Sequence, residues 1–365
     1  MKAKKFFTAN HTNGHELFRR HHFFIPLVFI VINLLFIFSS CAKQETSRTE
    51  LALGTVCTVT LFDSGDDSIY SEIFSRIHEI ENLMSVNIPT SDVSRINASA
   101  GIEPVQVHED VFTVIERAKY FAEISNGAFD PTVGPLVSLW GIGTDSEQVP
   151  EEEEIRSVQP LVNFRLLELN SEAQTVFLPY QGMALDLGAI AKGYAADEAA
   201  NIAKRAGVKH AKIDLGGNIV LIGIKLDKSP WRVGIQNPGN AHGSITGILQ
   251  VTVLPTKFPA VKTIVTSGIY ERFFEYDGKS YHHIFNPFTG YPADNGLVSV
   301  TLITDISMDA DALSTAVFVL GYEAGITLLE SFPGTEAVFV FEDKSVRTTA
   351  GANFAITDRA YRIVN

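Results

Sequence analysis

The 365-residue sequence predicts an α+β fold with largely antiparallel sheets and packed helices. Two observations predict it. Strand-like runs come in pairs joined by tight turns, as around Asn170-Ser171 and Asp277-Gly278. Helical patterns come singly between those pairs, and do not alternate with every strand as a doubly wound parallel sheet requires. The hydrophobic content of 45% and charged content of 19% suit a body with a sizeable core.

The first forty residues read as a targeting segment. Lys2, Lys4, Lys5, Arg19 and Arg20 form a positive leader, and Phe23–Phe38 is a sixteen-residue run, apolar apart from Asn33, with Pro26 inside it. That is short for a spanning helix, which needs about 20 residues, and suits a signal peptide. The run ends in Phe38-Ser39-Ser40-Cys41, which resembles a bacterial lipobox with Cys41 as the lipidated residue; an uncleaved signal anchor is the other reading. Either reading puts the body outside the cytoplasm at a membrane surface. The expected organisation is a 1–40 lipoprotein signal peptide, a 41–50 tether and a 51–365 body. Beyond Cys41 the only cysteine is Cys57, so no internal disulfide is available; its apolar alternating surroundings make it a buried strand residue.

Along the body, Leu51–Phe62 reads as a strand and Ile69–Met84 as a helix with apolar residues at helical spacing. A loop and short helix follow to Asn97, then an extended piece at Val105–Val107. Asp110 is placed to cap a helix that ends at Asn126-Gly127. Ala128–Pro135 holds two prolines and a glycine and reads as a stiff loop. Glu151–Glu154 reads as a solvated helix start. Phe164–Leu178 is a hairpin, and Gln181–Asp197 crosses from strand to helix. Lys212–Ile224 is a strand with a sharp interior turn around Gly216-Gly217; Trp231–Gln236 pairs with Ile245–Val253. Val261–Ser267 and Val298–Thr304 are strands, Met308–Leu320 a helix, and Glu336–Phe341 with Val346–Thr349 a closing hairpin.

The net charge is −13, and the chain after residue 40 carries 24 Lys and Arg against 41 Asp and Glu, a net −17. Such a surface repels phosphate backbones, so nucleic acid is not an expected partner. Dinucleotide-fold, Walker, serine-hydrolase and zinc spacings are all missing.

The informative signals are rich in oxygen. Asp311 and Thr315 stand four residues apart on one helix and share a face. A carboxylate with a hydroxyl suits a hard cation such as Mg²⁺; an ordinary helix start with a satisfied threonine fits the same pattern. Asp309 points elsewhere and is placed to be the helix N-cap. Lys192 opens a helix after the Asp186-Leu-Gly188 turn, where a cation opposes the helix dipole unless an anion or Asp186 lies near it. His282 and His283 end a strand, so only one of them faces any given side; a histidine there is either a general base or a hydrogen-bonded structural residue.

Together these stretches resemble the ApbE family, the FAD:protein FMN transferases, from about Leu53 to Ala350. The resemblance is carried in order by Gly54-Thr55, Met84-Ser85 with Asp92–Asn97, Phe129–Pro135, Asp186–Tyr194, Asp214–Gly217, Trp231–Pro238, Thr266-Ser-Gly268, His283–Gly290 and Ala310–Thr315. It implies an exported Mg²⁺-dependent enzyme. Such an enzyme cleaves the pyrophosphate of FAD and passes FMN to a threonine hydroxyl of a target flavoprotein, releasing AMP. The target would be a subunit of a membrane redox complex, and the enzyme would be held to the membrane by its lipid.

By matching positions, the resemblance makes Asp311 and Thr315 side-chain ligands of Mg²⁺, with the main-chain carbonyl of Ala189. His283, and not His282, becomes the base. Met84, Asn87, Ala128, Phe129, Asp130, Asp186 and Lys192 would line the FAD site, with Phe129 offering an aromatic face. Asn87 stands where many members of the family carry an aromatic residue, which motivates a second expectation: an FAD pyrophosphatase giving FMN and AMP. A third is a lipoprotein that binds FAD without turning it over; a base and a cation site in one chain argue against it.

Overall fold

The computed structural model of the chain describes residues 46–238, 243–253 and 260–364; the 1–40 segment and Cys41 lie outside the described residues. The body opens with a hairpin. Strand β1 (Thr46–Ala52) turns at Leu53-Gly54, both at positive φ, into β2 (Thr55–Leu61). The one strand expected over Leu51–Phe62 is thus the second arm of a pair, and Thr46–Glu50, assigned to the tether, is sheet. Cys57 is buried on β2, with its thiol pushed up to about 11 by burial.

Helix α1 (Asp67–Met84) is capped by Asp66 and buries Ile69, Ile73, Ile77, Ile80 and Met84. Next come α2 (Asp92–Ala98), β3 (Val105–Gln106) and α3 (Glu109–Ile124). His108, not Asp110, caps α3. Asp110 is committed elsewhere: Arg76 of α1 lies 2.7 Å from one oxygen and Tyr194 donates to the other at 2.6 Å. The proline-rich loop runs directly into α4 (Gly134–Trp140), whose Pro135 sits in the first turn, where no N–H is needed. Helix α5 (Glu152–Val158) starts with the reciprocal Glu151–Glu154 cap. The hairpin β4 (Glu168–Asn170) and β5 (Thr175–Phe177) follows.

Gln181–Leu187 makes no strand. It forms a single bridge, Ala184 to Val133, before α6 (Ala191–Arg205). Strands β6 (Ala211–Leu215) and β7 (Asn218–Ile222) form a tight hairpin through Gly216-Gly217, both at positive φ. Then come β8 (Trp231–Gln236), β9 (Ile245–Val251), β10 (Val261–Gly268), β11 (Phe273–Tyr276), β12 (Lys279–His282) and β13 (Leu297–Thr304). The chain closes with α7 (Ser307–Leu320), α8 (Tyr322–Leu329), β14 (Glu336–Phe341), β15 (Ser345–Thr348), β16 (Phe354–Ile356) and β17 (Arg362–Ile363).

Among the described residues nine strands make one sheet in the order β1-β2-β6-β7-β10-β13-β14-β15-β17, antiparallel except at β15–β17. Its central strands are apolar on both faces because both are covered. Helices α1, α6 and α7 share the main core on one face. The small sheet β16-β9-β8 covers the other, through Leu221, Ile264, Val338 and Val340. A third cluster around Trp140 gathers Leu136, Ile155, Phe274 and Phe285. Trp140 donates to the Gly290 carbonyl at 2.9 Å, which pins the loop after His283.

Candidate active site

The site begins where α6 and α7 touch. Gly193, in the first turn of α6, has no room for a side chain: a Cβ there would stand 2.3 Å from the Ser307 carbonyl. The close approach lets the Gly193 N–H donate to Asp311 Oδ2 at 2.9 Å. One turn on, Asp197 accepts from the N–H groups of Ser307 and Met308 at 3.0 and 2.9 Å, closing the start of α7. Asp309 is therefore not the cap, which falls at Ile306; it forms a two-point pair with Arg117 of α3 at 2.7 and 2.6 Å.

Asp311 is 4% exposed. With Oδ2 held by Gly193, its Oδ1 lies 3.8 Å from the Lys192 ammonium. Lys192 donates to the Gly188 carbonyl at 2.8 Å. A turn along α7, Thr315 Oγ1 lies 3.2 Å from Ser267 Oγ, which is 2.8 Å from Ser314 Oγ. As the third residue of α6 Gly193 has no acceptor within the helix, and its N–H goes to Asp311; the Ala189 carbonyl lies just before the helix ladder. A carboxylate oxygen, a hydroxyl and such a carbonyl fit a hard cation that keeps several waters. Among the described residues no three His, Cys, Asp or Glu side chains converge, so the set holds one carboxylate and excludes the zinc type.

The two histidines separate cleanly. His282 is buried, accepts at Nδ1 from the Ile284 N–H at 3.2 Å, and places Nε2 3.0 Å from the Ala293 carbonyl. Both its nitrogens are in use. His283 places Nδ1 3.0 Å from the Arg272 carbonyl. A carbonyl only accepts, so Nδ1 carries the proton and Nε2 is left as a lone-pair base. The ring is half-buried. Burial, helped by the positive charges of Arg272 and Lys192, pushes its pKa down to about 3.

The upstream residues divide. Asp186 joins the site's frame: its Oδ1 accepts from Gly188 at 2.7 Å, and its N–H donates to the Pro131 carbonyl at 2.9 Å. The 128–135 loop is thereby tied to the turn that carries Ala189 and Lys192. Asp130 spends both oxygens inside the loop, on Thr132 and on the Phe164 N–H, and burial raises its pKa. Ala128, Phe129 and Met84 are core side chains, with Phe129 only 3% exposed. The aromatic face expected of Phe129 is turned inward, because the loop needs that ring to seal it to the core. Asn87 is exposed, with its N–H on Ser85 Oγ.

Sequence reasoning missed Gly193, Asp197, Ser267 and the Arg272 carbonyl as parts of the site. A glycine inside the first turn of an alanine-rich helix was the available signal for the first.

An α+β body with a neutral histidine and a one-carboxylate oxygen set, both acted on by the charge of Lys192, suits a transferase or hydrolase of an anionic substrate. The sequence profile of the ApbE family matches residues 53–339. An FAD:protein FMN transferase of Treponema pallidum is 41% identical over 325 residues, covering 84% of this chain and 88% of the relative. One of Klebsiella pneumoniae is 36% identical over 321 residues, covering 87% and 97%. Among solved structures, the ApbE protein of Thermotoga maritima superimposes with a TM-score of 0.73 at 32% identity, covering 86% of this chain and 97% of that one. The flavin transferase ApbE of Vibrio cholerae gives 0.72 at 28%, covering 86% and 96%. This chain belongs to the ApbE family.

Proposed function

We propose that the chain is an FAD:protein FMN transferase, which moves FMN from FAD to a threonine hydroxyl of a target flavoprotein and releases AMP. The observation that carries the reading is His283: a neutral ring with Nδ1 fixed by the Arg272 carbonyl and Nε2 free to take a proton. Asp311 Oδ1, Thr315 Oγ1 and the Ala189 carbonyl would hold Mg²⁺, which when bound neutralises charge on the pyrophosphate. His283 Nε2 accepts the proton of the acceptor hydroxyl as that oxygen bonds to the FMN phosphorus and the bond to the AMP oxygen breaks. Phosphoryl transfer needs alignment and charge neutralisation more than covalent help from the protein. Lys192 adds a positive charge next to Asp311, and Gly193 holds the carboxylate still.

Several parts of the reading concern residues outside the described ones. Export and a lipid on Cys41 are supported by the sequence alone, and an acceptor subunit in a membrane redox complex by family analogy. With β1 starting at Thr46, only residues 42–45 separate Cys41 from the sheet, a reach of about 15 Å. A lipid-anchored enzyme would therefore work close to the membrane.

Asn87 favours a second reading, hydrolysis of FAD to FMN and AMP. Its exposed amide offers no apolar cover against water. One assay separates the two: the purified chain with FAD, Mg²⁺ and an exported flavoprotein subunit bearing an acceptor threonine. Covalent FMN on the subunit supports transfer, FMN and AMP formed without acceptor support hydrolysis, and unchanged FAD overturns both.

A further inference from the structure

On the helix-covered face of the main sheet, one buried amide has no partner among the described residues. Asn218 opens β7, is 2% exposed, and its Nδ2 makes no hydrogen bond to any of them. The side of the sheet is fixed by its neighbours along the strand. Val220 and Ile222 belong to the core under the helices, and Leu221 to the core under the small sheet. The turn before it does not need the amide, because Gly216 and Gly217 supply the positive φ angles and Asp214 Oδ1 accepts from Gly217. An enclosed donor without an acceptor lowers stability, whereas an apolar side chain of similar shape would not.

Its position points to the cation site. Asn218 pairs in register with Val265 of β10, two residues before Ser267 on the same face. Diagonal neighbours of this kind have Cβ atoms about 7 Å apart. Ser267 in turn touches Ser314 and Thr315. The unpaired donor therefore shares its sheet face with Ser267, which touches Thr315.

We propose that Asn218 is a substrate-binding residue of this site, its Nδ2–H donating to a phosphoryl oxygen of the bound dinucleotide. The inference rests on the FMN-transferase reading above. The pyrophosphate is the part of FAD richest in acceptors and the part that a cation on Asp311 and Thr315 would hold. An ordered water is the other acceptor such an amide could take, and it would be indifferent to phosphate.

The test uses the purified chain with Asn218→Leu and Asn218→Asp, read by melting temperature without ligand and by affinity for FAD and riboflavin in Mg²⁺, from flavin fluorescence. Asn218→Leu should melt at or above the wild-type temperature and bind FAD about tenfold more weakly, with riboflavin unchanged. Asn218→Asp, which puts a charge where the donor was, should lose more FAD affinity and likewise spare riboflavin. It decides the matter alone if the leucine variant does not fold. FAD affinity within twofold of wild type, or equal losses for FAD and riboflavin, would overturn the assignment. Wild type that binds and turns over FAD beside an unaffected variant removes only the role of Asn218. Wild type that fails to bind FAD removes the transferase reading with it.

Discussion

The backbone N–H of Gly193 donates to Oδ2 of Asp311 across 2.9 Å, so the carboxylate of one helix is aimed by the first turn of another. The contact exists because Gly193 brings the α6 backbone against Ser307 and Met308. It gives an N–H that has no acceptor within the helix a partner. One missing side chain thus aims the carboxylate assigned to the cation.

Gly193→Ala tests this coupling. Alanine favours a helix interior by about 1 kcal/mol over glycine. Its Cβ would meet main-chain atoms that no rotamer change can move, and overpacking of this kind costs about 1–3 kcal/mol. We expect the clash to win, with a lower melting temperature and at least about tenfold weaker Mg²⁺ dependence of turnover. A variant with wild-type stability and metal dependence would show that the approach of α6 to α7 does not set the site.

Asp309 and Asp311 should part company. Asp309→Asn leaves Arg117 partly buried and half paired, which we expect to cost about 1–3 kcal/mol of stability. Turnover per folded enzyme should hold. Asp311→Asn should do the reverse, with little change in melting temperature and a shift of at least about tenfold in the Mg²⁺ titration. Equal effects on both readouts from both variants would remove the distinction.

Much of this arrangement was legible in the sequence where local pattern and tertiary need agree. The Gly216-Gly217 and Asp277-Gly278 hairpins form as their turn chemistry demands. His283 and Asp311, which the resemblance assigns to one site, both feel the charge of Lys192. The misreadings have a common cause. Asp110 and Asp309 look like helix caps by position, but each is claimed by a distant arginine, Arg76 or Arg117, through a contact that local sequence does not encode. Phe129 looks like a ligand-facing ring, yet its loop uses it as a core residue. Gly193 and Asn218 matter for the space and partners around them, which exist only once α6, α7 and the sheet are assembled.

His282 and His283 give the last prediction, since adjacent residues should respond in opposite ways. His282→Phe loses two buried hydrogen bonds and should cost about 1–3 kcal/mol while sparing the chemical step. His283→Asn should lower transfer by about 10²–10⁴ while FAD still binds. The pH dependence follows from the sign of the shift. Burial and the charges of Arg272 and Lys192 hold His283 at about 3 in the folded chain, against about 6.5 when unfolded. Between those values the unfolded chain binds more protons than the folded one, so stability rises with pH there. The contribution is complete above about pH 6.5 and is lost as pH falls toward 3. Wild type should therefore lose stability relative to His283→Asn between pH 7 and 4, as read by urea melts at each pH. The same shift keeps Nε2 unprotonated, so transfer should show no inflection near pH 6.5. An inflection there that vanishes in His283→Asn would mean that the ring titrates like a solvated histidine and is not enclosed as described.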